Sequence, residues 1–439
     1  MQTQLASASR ERLARWNWVA LIVIMLLIAE RLAVFFQLGW DLSLNSDDVS
    51  YINSGILFAK TGMVTMHNEY PSAQIMPGMT WLIGLFSMIL GEGKALWIAL
   101  KLVWFLFAAL NAWVLYRAVT LFAPGWCGIL AMLPLFSPQF VWTDNLILTE
   151  TPFQLCFTAM VYNTLRMGKE QSASAFVLTL LSYMAGLMLK ANIAPYPVVA
   201  LIYLLWTGYD RKKLGRQVVI VTCAVLMFLV PWSARNYRQF GAFIPLTYGA
   251  GNPKLLGTYQ GYGWPADDTL DYETNVDDVV RERYSEYFDE NGNVHGQYIR
   301  YIALVSDGIK ANYRLKVWAQ RDPKSLVISY LFLKPVLLAR DIYVNSEAVP
   351  FGEYTNEIHS LTKWLALIGF ALAFLCRKNR KAVCFAMVNY LWNVMVYAMT
   401  FVFGRYNVSL LTMWYLMFGL GLGALALRLQ EWFQRRKTE

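Results

Sequence analysis

Ten apolar runs along the chain are long enough to cross a membrane as helices. A spanning helix needs about 20 mainly apolar residues. The runs lie at residues 16–36, 97–116, 126–143, 151–167, 173–189, 192–207, 217–234, 360–376, 382–403 and 408–427. The pattern predicts an all-α polytopic membrane protein with about ten transmembrane helices, interfacial helices and an extracytoplasmic insert.

The basic residues decide the predicted orientation, because short cytoplasmic loops are enriched in Lys and Arg. Clusters occur at 117, 166–169, 211–213, 377–381 and 435–437. All of them fall inside if the N-terminus is cytoplasmic and an eleventh apolar run, 76–91, does not fully cross. We therefore predict cytoplasmic N- and C-termini in a cell membrane, with 76–91 at the outer interface or re-entering.

The same arrangement predicts three regions. Residues 1–234 form an N-terminal transmembrane module with a first outer loop at 37–96, residues 235–359 form an extracytoplasmic insert, and residues 360–439 form C-terminal helices with a basic cytoplasmic tail. The apolar run 326–339 inside the insert is interrupted by Lys334 and Pro335. It is too short to span, so we expect it to be amphipathic.

The composition supports the membrane class. Of 439 residues, 57% are hydrophobic and 15% charged, against about 45–50% and about 25% in soluble domains. The net charge is +9, but the basic residues cluster between apolar runs, as they do in cytoplasmic loops of membrane proteins. Nucleic acid is therefore not an expected partner. The five cysteines form no CxxC pair, which indicates neither a disulfide framework nor a zinc site.

Two adjacent carboxylates follow the first span. Asp47 and Asp48 repel each other, which raises one pKa unless a cation or donor relieves them. The pair could supply a general base and a sugar or metal contact. The alternative is a solvated cap on a helix that starts at Val49.

Nearby, His67 and Glu69 stand two residues apart. A histidine and a carboxylate are compatible with a shared divalent metal, and a plain loop is the alternative. The sequence leaves metal dependence open.

A second acidic cluster, with Asp144 and Glu150, is predicted on the same outer side and can approach Asp47. The alternative is that these acids cap the span that starts at Thr151. Five cations are predicted to face them: Lys101, Lys190, Arg235, Lys334 and Arg405. A single Lys or Arg can extend its side chain to the membrane interface (snorkelling), and this accounts for any one of these cations. It accounts less well for five cations on the same side. A cavity with carboxylates and cations on opposite walls suits an anionic lipid head group attacked by a neutral nucleophile.

Several motifs resemble glycosyltransferases of the C-type (GT-C) fold. The resemblance extends over about residues 16–410 and is nearest to family 39, the protein O-mannosyltransferases, and to the aminoarabinose transferases. The motifs are Asp47-Asp48 with Tyr51, Pro77-Gly78, Leu148-Thr149-Glu150, Pro231-Trp232 with Arg235-Asn236-Tyr237, Asp322-Pro323 with Lys334, and Arg405-Tyr406.

This resemblance implies transfer of a sugar from a polyprenyl-phosphate carrier to a glycan, lipid or protein acceptor on the outer face, with inversion. It implies that Asp47 is the base, with Asp48 the other candidate, and that Glu150 helps form the acceptor or donor site. Lys190, Arg235 and Arg405 fall near positions that hold lipid phosphate.

The substrate-binding residues expected on the same grounds are Tyr51, Glu69, Asp144, Lys190, Arg235, Asn236, Tyr237, Lys334, Arg405 and Tyr406. Some relatives bind a metal through a Glu and a His; Glu69 resembles that Glu, and no His of this chain clearly corresponds to that His. Two rival functions remain at this stage. One is a transporter or flippase, which would be expected to show paired halves with broken helices. The other is a non-catalytic binder of a lipid-linked sugar.

Overall fold

The chain folds into helices joined by turns and loops. The structure, a computed structural model, describes the backbone of residues 2–438 and the side chains of residues 15–436. Within residues 2–438 it has no β-strand, which confirms the predicted all-α class.

The α-helices of the described residues are numbered here in chain order. They are α1 (Gln2–Leu38), α2 (Asp47–Thr61), α3 (Gly78–Leu90), α4 (Lys94–Thr120), α5 (Gly125–Met132), α6 (Pro138–Asp144), α7 (Glu150–Glu170), α8 (Ala173–Leu189), α9 (Tyr196–Thr207), α10 (Arg211–Phe240), α11 (Gly251–Gly257), α12 (Asp278–Arg283), α13 (Ile299–Arg321), α14 (Pro323–Ile328), α15 (Lys334–Arg340), α16 (Thr355–Leu375), α17 (Arg380–Ala398), α18 (Gly404–Val408) and α19 (Thr412–Thr438).

Fewer helices than the predicted ten are both long and apolar enough to cross a membrane. Among the described residues five qualify, at Arg15–Leu38, Lys94–Thr120, Arg211–Phe240, Gly352–Leu375 and Gly404–Arg436. The predicted span 126–143 is a pair of helical segments bent by 70°. The other four predicted spans are helical but shorter or more polar.

Helix α7 shows why a helix inside the bundle can be more polar than a lipid-facing one. Its Thr158 hydroxyl donates to Thr412 Oγ1 at 3.1 Å, and both residues are buried. A helix enclosed by other helices can bury such groups because neighbouring helices supply their hydrogen-bond partners. Apolarity along the sequence therefore identifies lipid-facing helices better than enclosed ones.

Helix α3 lies within the predicted apolar run 76–91. It has 13 residues, about 20 Å of helix at 1.5 Å per residue, against about 30 Å of hydrocarbon. Helix α3 packs closely on α2, because Gly55 leaves room for the side chain of Ile83. Its length agrees with the prediction that this run does not fully cross.

The insert packs on the end of α10 through aromatic side chains. Helix α10 continues to Phe240, past the predicted boundary at 234. The Phe240 ring contacts Tyr248 and Tyr301 at centroid distances of 5.3 and 5.2 Å. Val64 of the first outer loop belongs to the same buried cluster, so the insert and this loop share one core.

Large apolar side chains on the outer helices are exposed rather than packed. Leu181 of α8 and Met227 of α10 are 60% and 76% exposed. Many further apolar side chains on the spanning helices are also exposed, a pattern that lipid, not water, stabilises. The chain is a multi-pass membrane protein.

Candidate active site

The two adjacent aspartates at the start of α2 have different environments. The Asp48 carboxylate is fully buried and accepts hydrogen bonds from the backbone N–H groups of Leu44, Ser46 and Val49 at 2.6, 3.1 and 3.0 Å. It fixes the turn that starts the helix. The Asp47 side chain is 30% exposed and lines a cavity. Asp48 is therefore not the solvated cap of the predicted alternative, because it is buried inside a helix that starts at Asp47 with Ser46 as its N-cap.

Three charged side chains from separate parts of the chain meet beside Asp47. Glu150 begins α7, Lys190 lies between α8 and α9, and Arg405 lies on α18. The Glu150 carboxylate accepts from Lys190 Nζ at 2.9 Å and from Arg405 Nε at 3.1 Å. Arg405 Nη1 lies 3.0 Å from Asp47 Oδ2. The Arg405 guanidinium therefore contacts both acidic motifs, one through Asp47 and the other through Glu150.

Asp47, Lys190 and Arg405 border a cavity of about 300 Å³, whereas Glu150 is buried behind the two cations. Its polar lining residues are Asp47, Tyr51, Gln74, Thr149, Lys190, Asn192, Thr247, Tyr397, Arg405 and Tyr406. The insert contributes to one wall through residues 247–253. The cavity therefore lies where the transmembrane bundle, the first outer loop and the insert meet.

Aromatic rings hold the cations of the site in place. Lys190 Nζ lies 5.3 and 5.5 Å from the ring centroids of Phe153 and Tyr406, and Tyr406 stacks on Tyr397 at 4.8 Å. Aromatic faces attract cations electrostatically. Burial raises the pKa of Tyr51, so its hydroxyl stays neutral and can donate a hydrogen bond.

Asn192 carries a hydrogen-bond acceptor without a partner. Its Nδ2 donates to Tyr397 Oη at 2.9 Å and to Asn393 Oδ1 at 3.2 Å. Its Oδ1 is buried and has no hydrogen-bond partner in the described part of the chain. Because an unpaired buried acceptor is costly, this oxygen is a candidate contact for a ligand hydroxyl in the cavity.

Asp144 lies in a separate, sealed cluster. Its carboxylate faces Arg31 Nε of α1 at 3.2 Å and accepts from Thr151 Oγ1 at 2.7 Å. Asp144 and Arg31 are both buried. The two carboxylates of the acidic motif at 143–150 therefore differ: Asp144 belongs to this packed cluster, and Glu150 pairs with the cations that line the cavity.

Arg235 and its neighbours, predicted with the site, do not line the cavity. The Arg235 guanidinium donates to the carbonyls of Ser72 and Val64 at 2.7 and 3.2 Å. Asn236 donates to the Ile244 carbonyl at 2.8 Å, and Tyr237 is exposed. This motif ties the first outer loop to the beginning of the insert.

Lys334 is also away from the cavity. It is fully buried, and its ammonium donates to the carbonyls of Gly257 and Thr400 at 3.0 and 2.6 Å. Burial lowers the pKa of Lys334 to about 7. Lys101 similarly donates to the carbonyls of Leu42 and Asn145 at 3.0 and 2.7 Å. Both lysines join segments of backbone.

His67 and Glu69 border a second polar cavity, of about 420 Å³. His67 Nδ1 lies 2.9 Å from Ser50 Oγ, and its Nε2 lies 3.5 Å from Asp47 Oδ1. Burial lowers the pKa of His67 despite the nearby Asp47 carboxylate. Within residues 15–436, no three His, Cys, Asp or Glu side chains are placed to hold a metal ion, and metal binding by His67 and Glu69 stays a prediction.

Gln74, Asn192 and Tyr397 also line the cavity but were not predicted from the sequence. Tyr397 lies inside a predicted span, where a tyrosine is more often a packing residue. Asn192 follows Lys190 by two positions, and this proximity was the only available signal. Their position at the cavity depends on which faces of α17 and of the α8–α9 turn point inward.

Comparison with known proteins agrees with the fold and with part of the sequence. Residues 72–234 match the model of the family described as "Dolichyl-phosphate-mannose-protein mannosyltransferase". This match and the fold bear out the predicted resemblance to GT-C, family 39-like glycosyltransferases. No curated protein sequence matches the chain.

Two solved membrane glycosyltransferases are similar in structure. The oligosaccharyltransferase AglB from Archaeoglobus fulgidus, in complex with an inhibitory peptide and dolichol-phosphate, is 13% identical with a TM-score of 0.55; the match covers 96% of this chain and 52% of AglB. ArnT from Cupriavidus metallidurans, bound to undecaprenyl phosphate, is 16% identical with a TM-score of 0.43, over 93% of this chain and 78% of ArnT.

The match to AglB shows the fold. The chain has the GT-C fold, and it spans about half the length of AglB.

Proposed function

We propose that the chain is a glycosyltransferase that moves a sugar from a polyprenyl-phosphate carrier to an acceptor hydroxyl on the extracytoplasmic face, with inversion at the anomeric carbon. The main support for this proposal is that the Asp47 carboxylate and the cations Lys190 and Arg405 line one cavity. The fold and the family match over residues 72–234 agree with it.

In this proposal Asp47 is the general base. It takes the proton of the acceptor hydroxyl as that oxygen bonds to the anomeric carbon, while the bond from that carbon to the phosphate oxygen breaks. The products are the glycosylated acceptor and polyprenyl phosphate. A positioned base of this kind contributes a factor of about 10² to 10⁴.

Lys190 and Arg405 stabilise the leaving phosphate. The phosphate gains negative charge as the bond breaks, and fixed cations in a site shielded from water stabilise that charge. Glu150 accepts from both cations, so it orients them and limits the net positive charge of the site.

The resting ion pair must open when the donor binds. Inversion requires the base and the phosphate on opposite sides of the sugar, whereas Arg405 Nη1 and Asp47 Oδ2 are 3.0 Å apart, too close for a sugar ring to fit between them. The donor phosphate therefore replaces Asp47 as a partner of Arg405, which frees the carboxylate to act as a base.

An apolar groove of about 790 Å³ fits the polyprenyl chain. Its lining includes Phe58, Trp81, Met188, Met227 and Phe228, together with Arg235. The groove lies on lipid-exposed helix α10, and apolar contacts of this kind suit a prenyl chain.

The direct test is a transfer assay. Membranes that contain the chain are incubated with a panel of radiolabelled polyprenyl-phosphate sugars and candidate glycan, lipid and protein acceptors, with Asp47→Asn as the matched control. We expect label in one acceptor class, an inverted anomer and no transfer by the control. Movement of the donor across the membrane without transfer would support a flippase, and donor binding with neither result would support a non-catalytic binder.

A further inference from the structure

A second charged crevice lies far along the bundle from the cavity. It has a volume of about 440 Å³ and is lined by Trp113 and Arg117 of α4, Tyr162 and Arg166 of α7, and Leu178 and Ser182 of α8. Arg166 follows Glu150 by 16 residues on α7, about 24 Å along the helix axis. This crevice therefore lies toward the opposite membrane face, the one predicted to be cytoplasmic.

Aromatic side chains hold both guanidinium groups at the crevice. The Arg117 guanidinium carbon lies 5.7 Å from the Trp113 ring centroid, and that of Arg166 lies 5.7 Å from the Tyr162 ring centroid. Arg166 Nη1 also donates to Asn163 Oδ1 at 3.2 Å. These contacts reduce the conformational entropy that the arginines would lose on binding a ligand.

The positive charge at the crevice is only partly neutralised. Arg166 Nε pairs with Glu170 at 3.2 Å, and Glu170 is 42% exposed. Arg117 has no acidic partner within 4.0 Å among residues 15–436. Lys169, three residues after Arg166 on α7, does not line the crevice; its ammonium lies 4.8 Å from the Phe122 ring centroid and donates to the Leu121 carbonyl.

An apolar surface adjoins the cations. Leu178 lines the crevice, and the neighbouring Val177 and Leu181 of α8 are exposed. A ligand that fits this surface combines an anionic group with a hydrocarbon chain. Inorganic phosphate alone would use only the cations.

We propose that this crevice binds the phosphate head group of an anionic phospholipid of the inner leaflet, with an acyl chain along α8. Arginine presents several N–H donors to a phosphate in a fixed plane. Basic pockets between transmembrane helices on the cytoplasmic side suit anionic lipid head groups. Nothing in this inference depends on sugar transfer.

The test measures lipids retained by the full chain. The protein is reconstituted in nanodiscs of equal parts phosphatidylglycerol and phosphatidylcholine, extracted in mild detergent and examined by native mass spectrometry. We expect the parent to retain phosphatidylglycerol in preference, and Arg117→Gln/Arg166→Gln to retain about tenfold less. Lys212→Gln removes an exposed cation of α10 outside the crevice and should match the parent.

Three outcomes would overturn the proposal. One is equal retention of the two phospholipids by the parent, a result that needs no variant to fold. Another is full retention of phosphatidylglycerol by a folded double variant. The last is complete displacement of the lipid from the parent by 10 mM inorganic phosphate, which would assign the crevice to a free anion. Arg117→Lys/Arg166→Lys keeps both charges and should retain more lipid than the Gln variant.

Discussion

Two ionic clusters in the same bundle use the same residue types in different ways. One joins Arg31, Asp144 and Glu30; the other joins Asp47, Glu150, Lys190 and Arg405. Asp144 and Glu150 are only six residues apart in sequence. Their surroundings, and not their sequence motif, determine which of them lies beside the cavity.

The Arg31 cluster is closed. Arg31 Nη1 contacts Glu30 Oε2 and Nη2 donates to the Leu135 carbonyl, both at 2.5 Å, while Nε faces Asp144. The Arg31 side chain is 1% exposed, so no ligand can reach it. Two carboxylates and a carbonyl surround this one guanidinium, which is typical of a group that holds helices together.

The Asp47 cluster is open. Asp47 and Lys190 are 30% and 13% exposed, and both line the cavity. This comparison indicates that the first cluster contributes to stability and that the second interacts with a ligand. Substitutions in the two clusters should therefore have separable effects.

The largest effect is expected for Asp47→Asn. Because the amide cannot accept the acceptor proton, the rate of transfer should fall by about 10² to 10⁴ with the thermal midpoint unchanged. Binding of polyprenyl phosphate should persist, since Arg405 is no longer paired with Asp47. The matched control is Asp48→Asn, which should lower the thermal midpoint because the Asp48 carboxylate accepts three backbone N–H groups. Unchanged turnover of Asp47→Asn would refute its role as the base.

Breaking the closed cluster should affect stability. Arg31→Met leaves Asp144 buried without its cation, which typically costs about 3–5 kcal/mol of unfolding free energy. Thermal unfolding in detergent measures this loss. The double variant Arg31→Met/Asp144→Leu removes both charges and should recover part of it. An unchanged thermal midpoint in Arg31→Met would show that the Arg31–Asp144 pair does not stabilise the helix bundle.

Arg405→Gln should weaken the binding of polyprenyl phosphate. Charge-assisted hydrogen bonds contribute about 1.5–3 kcal/mol, so we expect about a tenfold to hundredfold loss of affinity in a direct binding assay. Arg235→Gln is the informative comparison, because Arg235 donates to loop carbonyls and should mainly affect stability. A larger loss of affinity in the Arg235 variant than in the Arg405 variant would assign the phosphate site to Arg235 instead of Arg405.

The smallest effect is expected for Asn192→Leu. If Asn192 Oδ1 accepts from a sugar hydroxyl, the variant should bind the sugar-linked donor about fivefold more weakly, corresponding to about 1 kcal/mol. Affinity for bare polyprenyl phosphate should stay the same. Equal losses for the two ligands would mean that Asn192 does not contact the sugar.

The sequence predicted the helical membrane fold and much of the cavity. Asp47, Glu150, Lys190 and Arg405 were each predicted from a charge at the outer end of an apolar run, where charge is costly without a partner. The structure brings these four together.

Other parts of the site could not be predicted. Arg235 and Arg405 are each followed by polar and aromatic residues in similar motifs, yet only Arg405 reaches the cavity. Arg31 was not predicted because a single arginine inside a span gives no sign of its partner 113 positions away. Such pairings depend on helix rotation and packing, which local composition does not specify.

The most direct test is a cryo-electron microscopy structure of the chain with a non-transferable phosphonate analogue of its sugar donor. We expect the phosphonate to contact Arg405 and Lys190, Asp47 to lie on the opposite face of the sugar, and the 3.0 Å contact between Arg405 and Asp47 to be open. A donor bound elsewhere, with that contact intact, would contradict this expectation.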